Sequence, residues 1–192
     1  MGERTCHIHP QALVESQKIG AGTHIWAFAH VLKGARIGCD CNIGDHCYIE
    51  NGVTIGDQVV IKNGVSIWEG LLIEDLVFIG PNVSFTNDLF PRAKIYHGHY
   101  ERTLIRKGAS IGANATILCG ITLGRWCLVG AGSVVTRDVP DFAIVYGNPG
   151  KLKAWVCKCG KILGFVRGKR ICCGCGLEYE KASDTKVICL SM

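Results

Sequence analysis

The sequence predicts an all-β protein: a parallel solenoid of short strands, a long loop expelled from it, and a small cysteine-rich appendage. Three observations predict this. Large apolar residues recur at every sixth position, 25 glycines stand against 5 prolines, and close cysteine pairs punctuate the last segment. Neither the 3.6-residue period of a helix nor plain strand alternation gives a strict six. A short strand followed by a tight turn does, with the chain climbing in triangular coils and each hexad making one face.

The repeat begins at Ile19 and runs unbroken to Phe85, through Ile25, Val31, Ile37 and Ile43 onward. The fifth position of each hexad is small or medium, from Thr23 and Ala29 to Val77 and Val83. That suits a side chain wedged beside a corner. The second position is often glycine, as at Gly20, Gly38, Gly44, Gly56 and Gly80, where a Cβ would oppose the turn. A second run, Ile105 to Val135, obeys the same rule. With three hexads per 18-residue coil, the two runs predict six coils, preceded by a partial coil near Ile8 and Val14. Cys41, Cys47 and Cys127 fall on the small interior position and read as core; Cys39 and Cys119 fall on outward turns.

Composition excludes other classes. Hydrophobic residues make up 48% and charged residues 19%, which is unlike a disordered chain. No apolar stretch approaches the ~18 residues of a membrane span, so no membrane partner is expected. The first residues lack an apolar signal core, which points to the cytoplasm. A net charge of +5 gives no call for nucleic acid.

Phe85 to Ile105 is twenty residues, not a multiple of six, so a loop spanning 86–104 interrupts the solenoid. Such expelled loops are usually functional, and this one is rich in aromatic, basic and histidine residues. Residues 18 apart should stack about 4.8 Å apart. Asn87 then lies above Glu69, Asn51 and Lys33, and Thr86 above Trp68 and Glu50. His30 shares a column with Tyr48, Ser66 and Ser84, about 14 Å below the loop. His7, His9, His24 and His46 read as surface residues, and His97 and His99 as solvated loop residues.

After Pro140 the repeat ends, and 141–154 reads as a cap. Cys157-Lys158-Cys159-Gly160 and Cys172-Cys173-Gly174-Cys175-Gly176 then frame a short β-prone stretch. Four thiolates suit tetrahedral Zn²⁺. Cys157, Cys159, Cys172 and Cys175 are the expected ligands, with Cys173 the substitute for Cys172 and iron the other metal that fits. A unit of this size builds no core without such a staple, so the metal reads as structural. The division expected is 1–154 for the solenoid with its loop and cap, and 155–192 for the ribbon.

The repeat resembles the left-handed parallel β-helix of the hexapeptide-repeat acyltransferases. Phe85-Thr86-Asn87, Pro91-Arg92 and Thr103 through Asn114 are similar to the bacterial nucleotide-sugar 3-N-acetyltransferases, as are Ile25-Trp26, Phe28, His30-Val31 and Gly147-Asn148-Pro149. The chain departs from that family at Trp68, where tyrosine is common, and at Gly150, where alanine is common. The resemblance implies a homotrimer with active sites between adjacent β-helices beneath the loop, moving an acetyl group from acetyl-CoA to the amine of a nucleotide-linked amino sugar. It implies Asn87 as the catalytic residue, orienting an amine that needs no enzyme base.

The residues themselves suggest the remaining contacts. Glu69, Trp68 and Arg92 are candidates for the sugar nucleotide, Arg92 gripping its diphosphate. His30 is a further nucleotide contact, or the base if the acceptor were a sugar hydroxyl. Gly112-Ala113 and Gly130-Ala131 offer turns slim enough for a pantetheine arm, and Arg106, Lys107 and Lys151 are candidates for the phosphates of acetyl-CoA. A zinc anhydrase would need three converging histidines, and no convincing set exists. A passive scaffold would not need the loop.

Overall fold

The structure, a computed structural model, describes residues 5–95, 100–172 and 174–191. It is a left-handed parallel β-helix, and no helix occurs among the described residues. Three sheets form the faces of the prism. A ten-stranded sheet starts at His7–Ile8, a seven-stranded sheet at Leu13–Val14 and a five-stranded sheet at Arg36–Ile37. The 18-residue coil holds through the body: His30 pairs with Tyr48, Tyr48 with Ser66, and Ser66 with Ser84. The first coil is one residue shorter, since His7 pairs with His24.

Core packing follows the hexads. Their first-position residues from Ile25 onward are at most 5% exposed and the fifth-position residues at most 8%. Cys41, Cys47 and Cys127 point inward as the period requires, and burial raises each thiol, that of Cys47 to about 11. Cys119 differs from expectation, being only 3% exposed. It lies one coil above the root of the expelled loop, where its backbone N–H donates to the Thr86 hydroxyl at 3.0 Å.

The turn chemistry also differs. The left-handed backbone conformation falls on the fourth position of the hexad, not the second, at Phe28, His46, Asn82 and Trp126 among others. Second-position glycines serve the stacking of coils: a Cβ on Gly80 would lie 2.7 Å from the backbone nitrogen of Ala113 in the next coil.

The expelled loop leaves the register intact on either side. Ser84 pairs with Thr116 and Leu71 with Thr103, each 32 residues on where 18 is the rule. The solenoid closes with Ala143–Tyr146, whose partner Lys151–Val156 is antiparallel and runs across the boundary expected between 154 and 155. The chain continues into Ile162–Leu163 and then a three-stranded antiparallel sheet of Lys169–Ile171, Glu178–Ser183 and Lys186–Cys189. The ring of Tyr179 in this sheet meets Phe142 of the cap at 5.4 Å, edge to face.

Gly150 explains its own departure from the family. It is buried, and its N–H donates to the carbonyl of Val134 at 2.7 Å. A Cβ there would stand 2.9 Å from Val145 Cγ1 and 3.2 Å from the Val134 oxygen. Gly150→Ala is expected to destabilise the cap by about 1–3 kcal/mol, read as a lowered midpoint in urea with an unchanged slope.

Candidate acetyl-transfer site and thiol cluster

The loop is anchored where it leaves and rejoins the solenoid. The Thr86 hydroxyl accepts the N–H of Cys119, and the Thr103 hydroxyl accepts that of Gly120 at 3.1 Å. Across the neck, Glu101 N–H donates to the Asn87 carbonyl at 3.3 Å. The indole N–H of Trp68, one coil below, donates to the carbonyl of Phe85 at 3.0 Å. Two threonines, a tryptophan and one backbone pair thus hold the loop root.

This anchoring shapes a cavity of about 430 Å³ lined by Asn87, Asp88, Pro91, Arg92, Ala93, Ile95 and Tyr100. Asn87 and Arg92, predicted as catalytic and phosphate-gripping residues, therefore share one cavity. Asp88 and Tyr100 were not anticipated. Asp88 looks like a turn former, and its Oδ1 does accept the N–H of Phe90 at 2.8 Å. Tyr100 carries no spacing signal in an irregular loop. Trp68 supports the root without lining the cavity, and Glu69 is exposed on the coil below. His97 and His99 lie outside the described residues.

His30 is held elsewhere. Its Nε2 is 2.8 Å from Glu15 Oε1, and its ring meets Tyr48 edge-on at 5.6 Å. Tyr48 in turn packs on Trp68 at 5.5 Å, so a file of three rings climbs from His30 to the loop root.

The residues expected at acetyl-CoA divide among different edges of the prism. Gly112-Ala113 and Gly130-Ala131 follow strands of the ten-stranded sheet, whereas Asn87 follows a strand of the seven-stranded one. The two glycine turns stack closely, a Cβ on Gly112 reaching within 2.5 Å of the Ala131 nitrogen. Arg106 and Lys107 follow a strand of the five-stranded sheet. Lys107 Nζ sits 3.3 Å from Asp75 Oδ2, and Arg106 3.9 Å from Asp141. Lys151 lines a separate cavity of about 410 Å³ at the end of the solenoid, with Arg137, which was not anticipated from the sequence.

The C-terminal thiols of Cys157, Cys159, Cys172 and Cys175 converge, all within 4.8 Å of one another. Cys157 and Cys175 are 3.3 Å apart and Cys159 and Cys172 3.5 Å. Sulfurs bound tetrahedrally at about 2.3 Å would be about 3.8 Å apart, so the set fits one ion. The surroundings favour a thiolate at Cys172. Backbone N–H of Gly174 reaches Cys172 Sγ at 3.4 Å and, as the main cause, draws that thiol down to about 6. The Tyr179 hydroxyl donates to Cys157 Sγ at 3.1 Å and accepts the N–H of Lys158 at 3.1 Å. This cluster could hold a metal ion through the four predicted ligands. Cys173 lies outside the described residues.

A solenoid of stacked hexads with a loop-walled cavity defines the class, that of repeat-built bacterial transferases. Residues 102–137 match the family model for the bacterial transferase hexapeptide (six repeats), and 34–68 the hexapeptide repeat of succinyl-transferase. The chain is 54% identical over 178 residues to the dTDP-3-amino-3,6-dideoxy-alpha-D-galactopyranose 3-N-acetyltransferase of Aneurinibacillus thermoaerophilus, covering 93% of this chain and 92% of that one. The chain belongs to the hexapeptide-repeat acyltransferases. A hexapeptide-repeat acetyltransferase of Vibrio cholerae, solved with acetyl coenzyme A, is 28% identical with a TM-score of 0.56, over 64% of this chain and 70% of that one. An N-acyltransferase of Bacillus cereus shares the fold at 16% identity and a TM-score of 0.52, over 80% of this chain and 84% of that one.

Proposed function

We propose that this acyltransferase moves the acetyl group of acetyl-CoA to the amine of a nucleotide-linked amino sugar, a 3-amino UDP- or dTDP-sugar destined for surface polysaccharide. The observation that carries the proposal is the 54% identity, over 93% of the chain, to an enzyme named for that reaction. The neutral amine attacks the thioester carbon, a C–N bond forms, the C–S bond breaks, and the amine proton leaves with the CoA thiol. Holding both reactants in line, with a donor for the developing oxyanion, supplies most of the acceleration.

In this reading Asn87 orients the amine through its side-chain carbonyl, Arg92 grips the diphosphate, and Trp68, Glu69 and His30 line the approach of the sugar nucleotide. Gly112, Ala113, Gly130 and Ala131 lie on another edge, so they meet the pantetheine arm from a neighbouring copy, as in a homotrimer. Arg106, Lys107 and Lys151 serve the phosphates. Zinc at the four thiols is structural, and the protein works in the cytoplasm. O-acetylation would need a histidine base; among the described residues none lines the Asn87 cavity, and His30 is engaged by Glu15.

A thiol-release assay with acetyl-CoA against UDP- and dTDP-linked 3-amino and 4-amino sugars tests this. Turnover with a 3-amino sugar nucleotide supports it, and release only with a hydroxyl acceptor overturns it. Trp68→Phe, which keeps the ring and deletes the N–H to Phe85, is expected to raise the KM for the acceptor about three- to tenfold, measured in the same assay.

A further inference from the structure

The first strand of the solenoid is weakly held. His7–Ile8 is the edge of the ten-stranded sheet and pairs only with His24–Ile25. Two backbone bonds fasten it, from His7 N–H to the Thr23 carbonyl and from His9 N–H to the Ile25 carbonyl, each at 2.9 Å. Its inward residue Ile8 is 43% exposed, against 0% for Ile25 one coil on. A strand with so little burial and a single neighbour opens more readily than those of the core.

The outward face of the same strand pair carries two metal-ligating side chains. Parallel pairing puts His7 directly beside His24, and both residues are exposed, with ring centroids 5.4 Å apart. Neither imidazole makes a hydrogen bond or ion pair among the described residues. The Trp26 ring backs both, 6.1 Å from His7 and 6.3 Å from His24, and is fixed by its N–H to Asn42 Oδ1 at 2.8 Å. His9 is engaged otherwise, its Nδ1 accepting the Gln11 N–H at 3.2 Å. Two imidazoles that ligate one ion at about 2 Å place their centroids about 5 Å apart. A small rotation of the two rings therefore brings one nitrogen of each to a shared ion.

We propose that His7 and His24 bind a divalent first-row transition ion, and that this ion staples the edge strand to the next coil. Imidazole nitrogen suits Ni²⁺, Cu²⁺ and Zn²⁺, with water completing the coordination sphere. The pair is distinct from the four thiols, which follow the other end of the ten-stranded sheet. Two ligands hold an ion far less tightly than four on one scaffold, so the histidine pair fills only where metal is supplied. The ion needs both rings in place, which requires the edge strand to be paired, so binding stabilises the paired form by mass action.

Calorimetry with Ni²⁺ on the full chain, its thiols already loaded with zinc, reads the site. About one further ion per chain is expected, and His7→Gln or His24→Gln is each expected to weaken it about 100-fold, the gain that a second ligand on one scaffold brings. Both histidines are exposed, so glutamine leaves the fold intact. His46→Gln, whose ring stacks on Phe28 at 4.9 Å instead, is expected to leave the affinity unchanged. Hydrogen exchange then reads the staple. With Ni²⁺ at about 100 times its dissociation constant, the His9 amide is expected to exchange about 100-fold more slowly. No ion bound beyond the zinc, undiminished affinity in either His7 or His24 variant, or equal weakening by His46→Gln overturns the site. Binding that leaves exchange of the His9 amide unchanged, or slows it as much in His24→Gln, overturns the staple.

Discussion

Asn87→Ala is expected to lower kcat/KM for acetyl transfer by about 10²–10³-fold while the thermal midpoint stays within a degree or so. The separation is possible because Asn87 has two distinct jobs. Its backbone carbonyl accepts Glu101 N–H at the loop neck, and alanine keeps that bond. Its side chain lines the cavity with Arg92 and Tyr100, and alanine deletes it. Loop position is held independently, by Thr86, Thr103 and Trp68. The conservative variant sharpens the test. Asn87→Asp retains an acceptor oxygen and loses the amide donor, so it keeps more activity than alanine if the side chain orients the amine by accepting from it. Near-normal steady-state turnover of the alanine variant removes Asn87 from the mechanism.

The repeat was legible because each hexad obeys one local rule imposed by the geometry of a prism edge. An interior isoleucine every sixth residue, with a small residue at the fifth position, follows from a core one side chain wide. The site was legible only in part. Asn87 was singled out by the resemblance and Arg92 by its charge in the expelled loop, and the structure brings them into one cavity. Tyr100 and Arg137 were missed for different reasons. Tyr100 lies in an irregular stretch with no period to place it. Arg137 occupies an ordinary turn position, and the cavity it lines is completed by Thr185, almost fifty residues further along. Cys119 shows the same limit, since the period marks it outward, yet it is buried beside the loop root with its N–H on the Thr86 hydroxyl. Second-position glycine was read for the wrong property: sequence shows that a Cβ is excluded, and not whether backbone angle or a neighbouring coil excludes it.

Cys172→Ser is expected to take metal content from about one ion per chain to near none, and to leave the β-helix standing. The sulfur removed is the most acidic of the set, drawn down chiefly by the N–H of Gly174, and thus the strongest electrostatic partner for a cation. Serine keeps the size and forfeits the thiolate. The remaining three thiols are a poorer site, and ribbon folding is linked to metal binding. Most of the solenoid core lies away from that cluster, since its isoleucines pack coil on coil from Ile25 to Val135, and only the cap end continues through Phe142 and Trp155 to Cys157, Cys172 and Tyr179. Coupling between the parts runs through the antiparallel pair Ala143–Tyr146 and Lys151–Val156 and through Tyr179 on Phe142. The expected unfolding trace therefore has two steps: an early one for residues beyond about 160, seen as protease sensitivity and loss of tyrosine dichroism, and a late one at the wild-type midpoint. A single transition at sharply lower temperature, with loss of soluble protein, would show instead that the cap cannot close the solenoid without the ribbon, and that the thiol cluster is part of the main fold.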